Sequence, residues 1–304
     1  MSRHTQQGVA LITVLLIVAM ATTVAAFMAQ QQGFWQRELE LGRDHAQARR
    51  IAQAGVDWAR AVLADDAAVN QYDHAREMWA MKLPAIPVEG GEVQGVITDQ
   101  QGLFNLNNLV RGGTVSGSDV QSFQRLLSFL GLPVELAYSL ADWMDADSEP
   151  IAGGAEDGYY LGLAMPYRAA NRQLSELSEL MAVRGFDART IRRLEPFVSV
   201  LPEHTAVNVN FAEPEVLAAV IAGLSLQDAR QLALARKGAA FKSVAEFTQK
   251  LPSNVGQGAG LDISVSSQYF RVDGRAVQRD SEFSVQALLL RKNNWATVVR
   301  QSMQ

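Results

Sequence analysis

The 304 residues contain no cysteine, so neither a disulfide nor a thiol nucleophile is available to this chain. Histidine is scarce as well. His4, His45, His74 and His204 lie far apart, which removes the spacing of a histidine-based zinc site. No proline precedes Pro84, so nothing of that kind interrupts a helix over the first quarter of the chain. Apart from His4, no ionisable side chain lies between Arg3 and Arg37. The net charge of -5 offers no general attraction for nucleic acid. No P-loop is present either: the glycine run at 256–260 lacks the lysine and hydroxyl residue that must follow, and it reads as a flexible linker. Paired carboxylates could in principle cleave a glycosidic bond, but nothing marks a sugar cleft.

What is present is a helix-forming opening. Val9 to Ala29 is almost wholly apolar, and about 21 residues at ~1.5 Å each reach the ~30 Å of a bilayer core. Three readings compete: a cleaved secretory signal with Ala19-Met20-Ala21 as its small-x-small site, a plain anchor, and a retained helix behind a short leader. The leader MSRHTQQG is polar and carries its glycine before the apolar run, which disfavours the first. Arg3 on the short side favours a cytoplasmic amino terminus. Beyond the membrane, Ile51, Gly55, Trp58 and Val62 recur at helical spacing, predicting one helix from about Val9 to Asp66, roughly 85 Å long.

The remainder, 48% hydrophobic and 19% charged over the whole chain, suits a body of two or three domains. EVQGVITD alternates Val93, Gly95 and Ile97 on one side, and LFNLNNLV continues in a similar style. QYFRVDGRAVQ, EFSVQALLLRK and WATVVRQSM predict a three-stranded antiparallel meander. Between these β regions the chain is helix-rich and carries a weak repeat: GLPVELAYSL, GFDARTIRRL and GLSLQDARQL, starting at Gly131, Gly185 and Gly223. Each unit reads as glycine closing one helix and apolar positions facing a shared core. Such units also occur in DNA-binding helix-hairpin-helix proteins. Here the basic candidates Arg230, Arg236, Lys237 and Lys242 are set against Glu213, Glu215, Asp228 and Glu246, which favours protein packing over phosphate binding.

The most chemically pointed stretch is ADWMDADSEPIAGGAEDGYYLG. With Asp145 counted first, Asp147, Glu149 and Glu156 take the third, fifth and twelfth places of an EF-hand loop, but Pro150 stands where that loop needs glycine. Clustered hard oxygen ligands repel one another, and a divalent cation relieves that repulsion. A solvated acidic loop capping its neighbouring helices is the competing reading.

A short leader ending in Gly8, followed by VALITVLLIVAM, resembles the signal of type IV pilins and type II secretion pseudopilins. Thr13 stands where that group carries glutamate. Together with DW.DAD, GAED..Y, YRAANR, SEL and the segments Leu103 to Asn107 and Leu201 to Ala212, this resembles the minor pseudopilin K family of type II secretion systems. The resemblance covers most of the chain; Phe211 departs from it, replacing the usual threonine.

It implies an α+β fold, with a pilin-like long N-terminal α-helix on an antiparallel sheet and a large inserted all-α domain of helix-hairpin-helix or SAM-like type. The implied division is leader 1–8, transmembrane helix 9–29, periplasmic helix 30–66, first β part 67–110, helical insertion 111–261 and second β part 262–304. It also implies cleavage by prepilin peptidase after Gly8, methylation of Val9, and no catalysis. Calcium, one or two ions, would be held by Asp145, Asp147, Glu156 and Asp157, with Asp142 and Glu149 as further candidates. The implied partners are minor pseudopilins of the I, J and H types, the major pseudopilin and the inner membrane, and nucleic acid is not expected. A minor pilin of a type IV pilus or competence apparatus, and a membrane-anchored DNA-binding protein, are the alternatives.

Overall fold

A computed structural model describes residues 5–82, 84–253, 255, 261–279 and 281–303. The glycine run 256–260 lies outside the described residues. Helix α1 spans Thr5–Val69, a 65-residue rod of about 98 Å at ~1.5 Å per residue. It is long and apolar enough to cross a membrane, and its most apolar window has no cover from the rest of the fold. Among residues 9–43 every side chain is exposed; packing begins at Asp44 and Ala48.

The upper part of α1 lies on a five-stranded antiparallel sheet built from β1 (Ile86–Val88), β2 (Gly91–Asp99), β3 (Tyr269–Gln278), β4 (Ser281–Lys292) and β5 (Trp295–Met303), in spatial order 1-2-3-4-5. The three last strands form the expected meander, and β2 joins it by pairing antiparallel with β3. Asn293 and Asn294 both take positive φ (51° and 59°) in the β4–β5 hairpin, the backbone that a tight two-residue turn demands.

The packed face of α1 differs from the expected one. Ala48, Ala52, Val56, Ala59 and Leu63 are buried against Phe270, Val272, Ala276, Phe283, Val285, Ala287 and Leu289, whereas Trp58 is 48% exposed and Ile51, Gly55 and Val62 are half-buried. Small alanines let the rod approach the sheet closely, so the larger apolar residues are displaced to the flank.

The chain leaves the sheet at the end of β2 and returns at β3. Between them lies a helical domain containing α2 (Gly117–Phe129), α3 (Leu136–Met144), α4 (Asp157–Tyr160), α5 (Ala188–Leu194), α6 (Pro214–Val220), α7 (Leu226–Gly238) and α8 (Val244–Thr248). Gly131, Gly185 and Gly223 all adopt positive φ (60°, 85° and 84°). Each precedes a helix whose repeat leucine, Leu140, Leu194 or Leu232, is buried. The three-fold motif is thus a recurring way of entering one core.

That core also takes in Phe104, Leu106, Leu109, Val110, Ile263 and Val265. The junction therefore lies near Asp99–Gly102 and residue 266, outside the bounds 111 and 261 drawn from the sequence. LFNLNNLV is correspondingly not a continuing strand: only Phe104–Asn105 pairs, in parallel with Val198–Ser199, and Leu106–Leu109 forms a 3-10 turn. Its asparagines are buried staples. Asn105 Nδ2 donates to Glu203 O and Thr205 Oγ1, Asn107 Nδ2 to Leu174 O and Leu201 O, and Asn108 Nδ2 to Thr205 O. Buried amides persist when each polar group finds such a partner.

Candidate metal centre

Helix α3 ends in Asp142-Trp143-Met144, and Asp145 follows as its C-terminal cap residue in extended backbone. An eleven-step excursion returns the chain to Glu156, the residue that opens α4. This brings Asp142, Asp145 and Glu156 together with one carboxylate oxygen each, all within 4.8 Å of one another. All three residues are buried, at 0%, 3% and 3% exposure.

The hydrogen bonding around them is incomplete. Asp142 accepts from Ile151 N at 3.1 and 3.3 Å, but Asp145 Oδ1 and both carboxylate oxygens of Glu156 are buried without a partner. Burial, reinforced by the neighbouring carboxylates Asp145 and Asp142, pushes Glu156 up to about 7. Burial raises Asp142 to about 6, with Asp145 and Asp147 adding to it, and Asp145 moves the same way through burial and Asp147. Such groups are costly in isolation and are satisfied together by a hard cation that prefers oxygen ligands. Gly154 is tightly constrained here, because a Cβ on it would collide with Asp142 Oδ2.

The other sequence candidates stand apart from this trio. Asp147 Oδ1 accepts from Glu149 N at 2.8 Å in an exposed turn, and Glu149 is itself exposed. Asp157 Oδ1 accepts from Ala169 N at 2.9 Å while Oδ2 pairs with Arg168 at 3.4 Å. Three of the six expected ligands therefore converge, and the register is not that of an EF-hand, where third and fifth positions point inward.

A second acidic group, Asp66, Asp73 and Glu77, carries no motif in the sequence that would mark it. Arg291 Nη2 donates to both oxygens of Asp73 at 2.6 and 2.7 Å, and Nη1 donates to Asp66 at 3.1 Å. Glu77 accepts from Trp79 Nε1, His74 N and Asn70 Nδ2. Every acid there has a protein partner, so this group is a clamp rather than a cation site.

Near the start of α1, Thr13 Oγ1 donates to Val9 O and Ala10 O at 3.0 and 2.9 Å, satisfying itself within its own helix. The residues 1–4 of the leader lie outside the described residues, and α1 continues through Gly8. Of the basic residues weighed for DNA, Arg236 is spent internally: its guanidinium donates to Val209 O, Ala212 O and Phe211 O.

Family models described as type II secretion system, protein K, match residues 102–203 and 207–266. The type II secretion system protein K of Pseudomonas aeruginosa is 39% identical over 282 residues, covering 89% of this chain and 84% of that protein. The Klebsiella pneumoniae counterpart is 33% identical over 314 residues, covering 98% and 96%. Among solved structures, a chain of the GspK-GspI-GspJ complex from the enterotoxigenic Escherichia coli type 2 secretion system superposes with a TM-score of 0.71 at 23% identity, over 88% of this chain and 99% of that one. The sheet on a long helix with an inserted helical head is therefore a shared fold, and this chain belongs to the type II secretion system protein K family.

Proposed function

We propose that the chain is the minor pseudopilin that begins or caps the periplasmic pseudopilus of a type II secretion system, alongside minor pseudopilins of the I, J and H types and above the major pseudopilin. The observation that carries this reading is the uncovered rod: residues 9–43 of α1 are exposed along their whole length, while the helical head joins at the opposite end of the helix, where Asp73 N bonds Val265 O. A bare apolar helix is satisfied by lipid before assembly and by neighbouring helices after it. Thr13 supports a terminal place. A carboxylate at that depth requires a partner, whereas the threonine hydroxyl is already bonded to its own backbone. The role is scaffolding, without catalysis.

Prepilin peptidase would remove residues 1–8 on the cytoplasmic side and leave methylated Val9 as the amino terminus, with the body in the periplasm. Mass spectrometry of the mature chain tests this. Methylated Val9 is the expected terminus, Gly8→Leu should remain uncut, and a terminus at Thr22 or Met1 would refute retention behind a cleaved leader.

Calcium belongs to the same reading. Asp142, Asp145 and Glu156 would hold it, the fit being supported by the orphaned oxygens of Asp145 and Glu156. When bound, the ion would supply the positive charge that this group otherwise lacks.

A further inference from the structure

Past α4 the chain runs without helix or strand from Leu161 to Asn171, a strap whose Tyr167 packs against Trp143 and Tyr160. It displays apolar groups to solvent: Leu161 is 48% and Met165 83% exposed. Its two ends are fastened to the candidate metal centre. At the start, Tyr159 N and Tyr160 N donate to Glu156 O. At the end, Ala169 N donates to Asp157 Oδ1, Asn171 N donates to Trp143 O, and Asn171 Nδ2 donates to Asp147 O. Asn171 holds a left-handed backbone (φ 46°) to do so. Trp143 lies edge-on to Tyr160 at 5.0 Å, and the strap's own Tyr167 lies edge-on to Trp143 at 6.1 Å and stacks on Tyr160 at 5.3 Å.

Both fastenings share the cause of their order. Trp143 lies between Asp142 and Asp145, and Glu156 opens α4, so whatever draws these three carboxylates together fixes both ends of the strap. Three buried like charges with no counterion push those anchors apart. Resting on the calcium reading above, we propose that a cation bound by Asp142, Asp145 and Glu156 locks the strap 161–171, so that the ion controls whether Leu161 and Met165 are presented as an ordered surface on the head. Asp157 acts as the tether between the ion-bearing loop and Ala169, not as a ligand.

The test is limited trypsin digestion of the full chain in detergent, with calcium or with chelator. Cleavage after Arg168, whose side chain is 76% exposed, is timed by mass spectrometry against cleavage after Lys292 in the distant β4–β5 hairpin, which corrects for any effect of calcium on the protease. Calcium should slow the Arg168 cut at least about tenfold relative to Lys292, since cleavage follows the population of the opened strap. Asp157→Ala should keep the calcium-induced rise in melting temperature yet lose the protection. Equal cutting at Arg168 with and without calcium, in a parent chain whose melting temperature calcium raises, would overturn the coupling and leave the ion site standing. A parent chain whose melting temperature ignores calcium would overturn both. Full protection in Asp157→Ala, or loss of its calcium response, would remove Asp157 from the tether role.

Discussion

Two clusters of three acids lie wholly or partly buried among the described residues, and they solve the same electrostatic problem differently. At the top of α1, Asp66 and Asp73 converge on the guanidinium of Arg291, which also stacks over Phe270 at 4.6 Å and donates to Ser267 O. In the head, Asp142, Asp145 and Glu156 meet no cationic side chain among the described residues: Asp142 accepts from Ile151 N, and Asp145 Oδ1 and both carboxylate oxygens of Glu156 have no partner. The first group ties together the end of the rod, the loop after it and the return into β3, so it is part of the fold. On the proposed calcium reading, the second would depend on a diffusible ion and so respond to its surroundings. Geometry of the acids alone does not separate these cases; the inventory of their partners does.

The contrast can be broken most forcefully at Arg291. Arg291→Met strands Asp73 in the interior, and loss of one member of a buried pair should cost about 3–5 kcal/mol. Denaturant unfolding of the full chain in detergent should show that loss equally in calcium and in chelator. A calcium-dependent loss would mean that the clamp and the head loop are one system.

The next effect belongs to the head. Asp145→Asn combined with Glu156→Gln should abolish the stabilisation that calcium provides, which for a single site at a hundredfold excess over Kd is about 2.7 kcal/mol. In chelator the double variant should be no less stable than the parent, because it removes repulsion between buried carboxylates. Differential scanning calorimetry with and without calcium measures both statements.

Acidity sharpens the comparison further. In chelator Glu156 and Asp142 titrate near 7 and 6 in the folded chain, above the ordinary carboxylate value of about 4, so the folded state holds more protons than the unfolded one across that interval. Their contribution to stability is therefore greatest at low pH and is lost as pH rises through about 6 to 7. Protons and cation compete for the same oxygens, so calcium should bind more weakly below about pH 7. Burial also raises Glu77 to about 7 and Asp99 to about 7, and these groups act alike with and without calcium. The difference between the calcium and chelator melting curves should therefore widen as pH rises from 5 to 8. A constant difference would detach the titration from the ion.

The smallest expected effect lies in the membrane segment. Thr13→Glu introduces a carboxylate where the hydroxyl had bonded its own helix, and if the proposed terminal place holds, so that no subunit sits above it, secretion of folded cargo should be nearly unchanged. Severe loss of secretion in a complementation assay would speak against the terminal place.

The rod and the meander were readable in the residues because long apolar periodicity and alternating strands are strong local signals. The packed stripe of α1 was not. Ile51 and Trp58 draw the eye, but close approach to the sheet selects Ala48, Ala52 and Ala59. The acidic loop was legible as a place, whereas its membership was decided by where the backbone turns: Asp142 enters the trio because α3 carries it there, and Asp157 leaves it to hold Ala169. Arg291 could not be paired with Asp73 from local pattern, since 218 positions separate them. Likewise, the first junction of the two domains is hidden in the sequence because Phe104 and Leu106 resemble strand residues while serving the helical core.

The terminal place of this subunit is tested most directly by labelling an epitope in the head and imaging isolated pseudopili by electron microscopy. The account predicts label at one end of each fibre and none on the shaft. Label distributed along the shaft, or found only on material free of fibres, would contradict it.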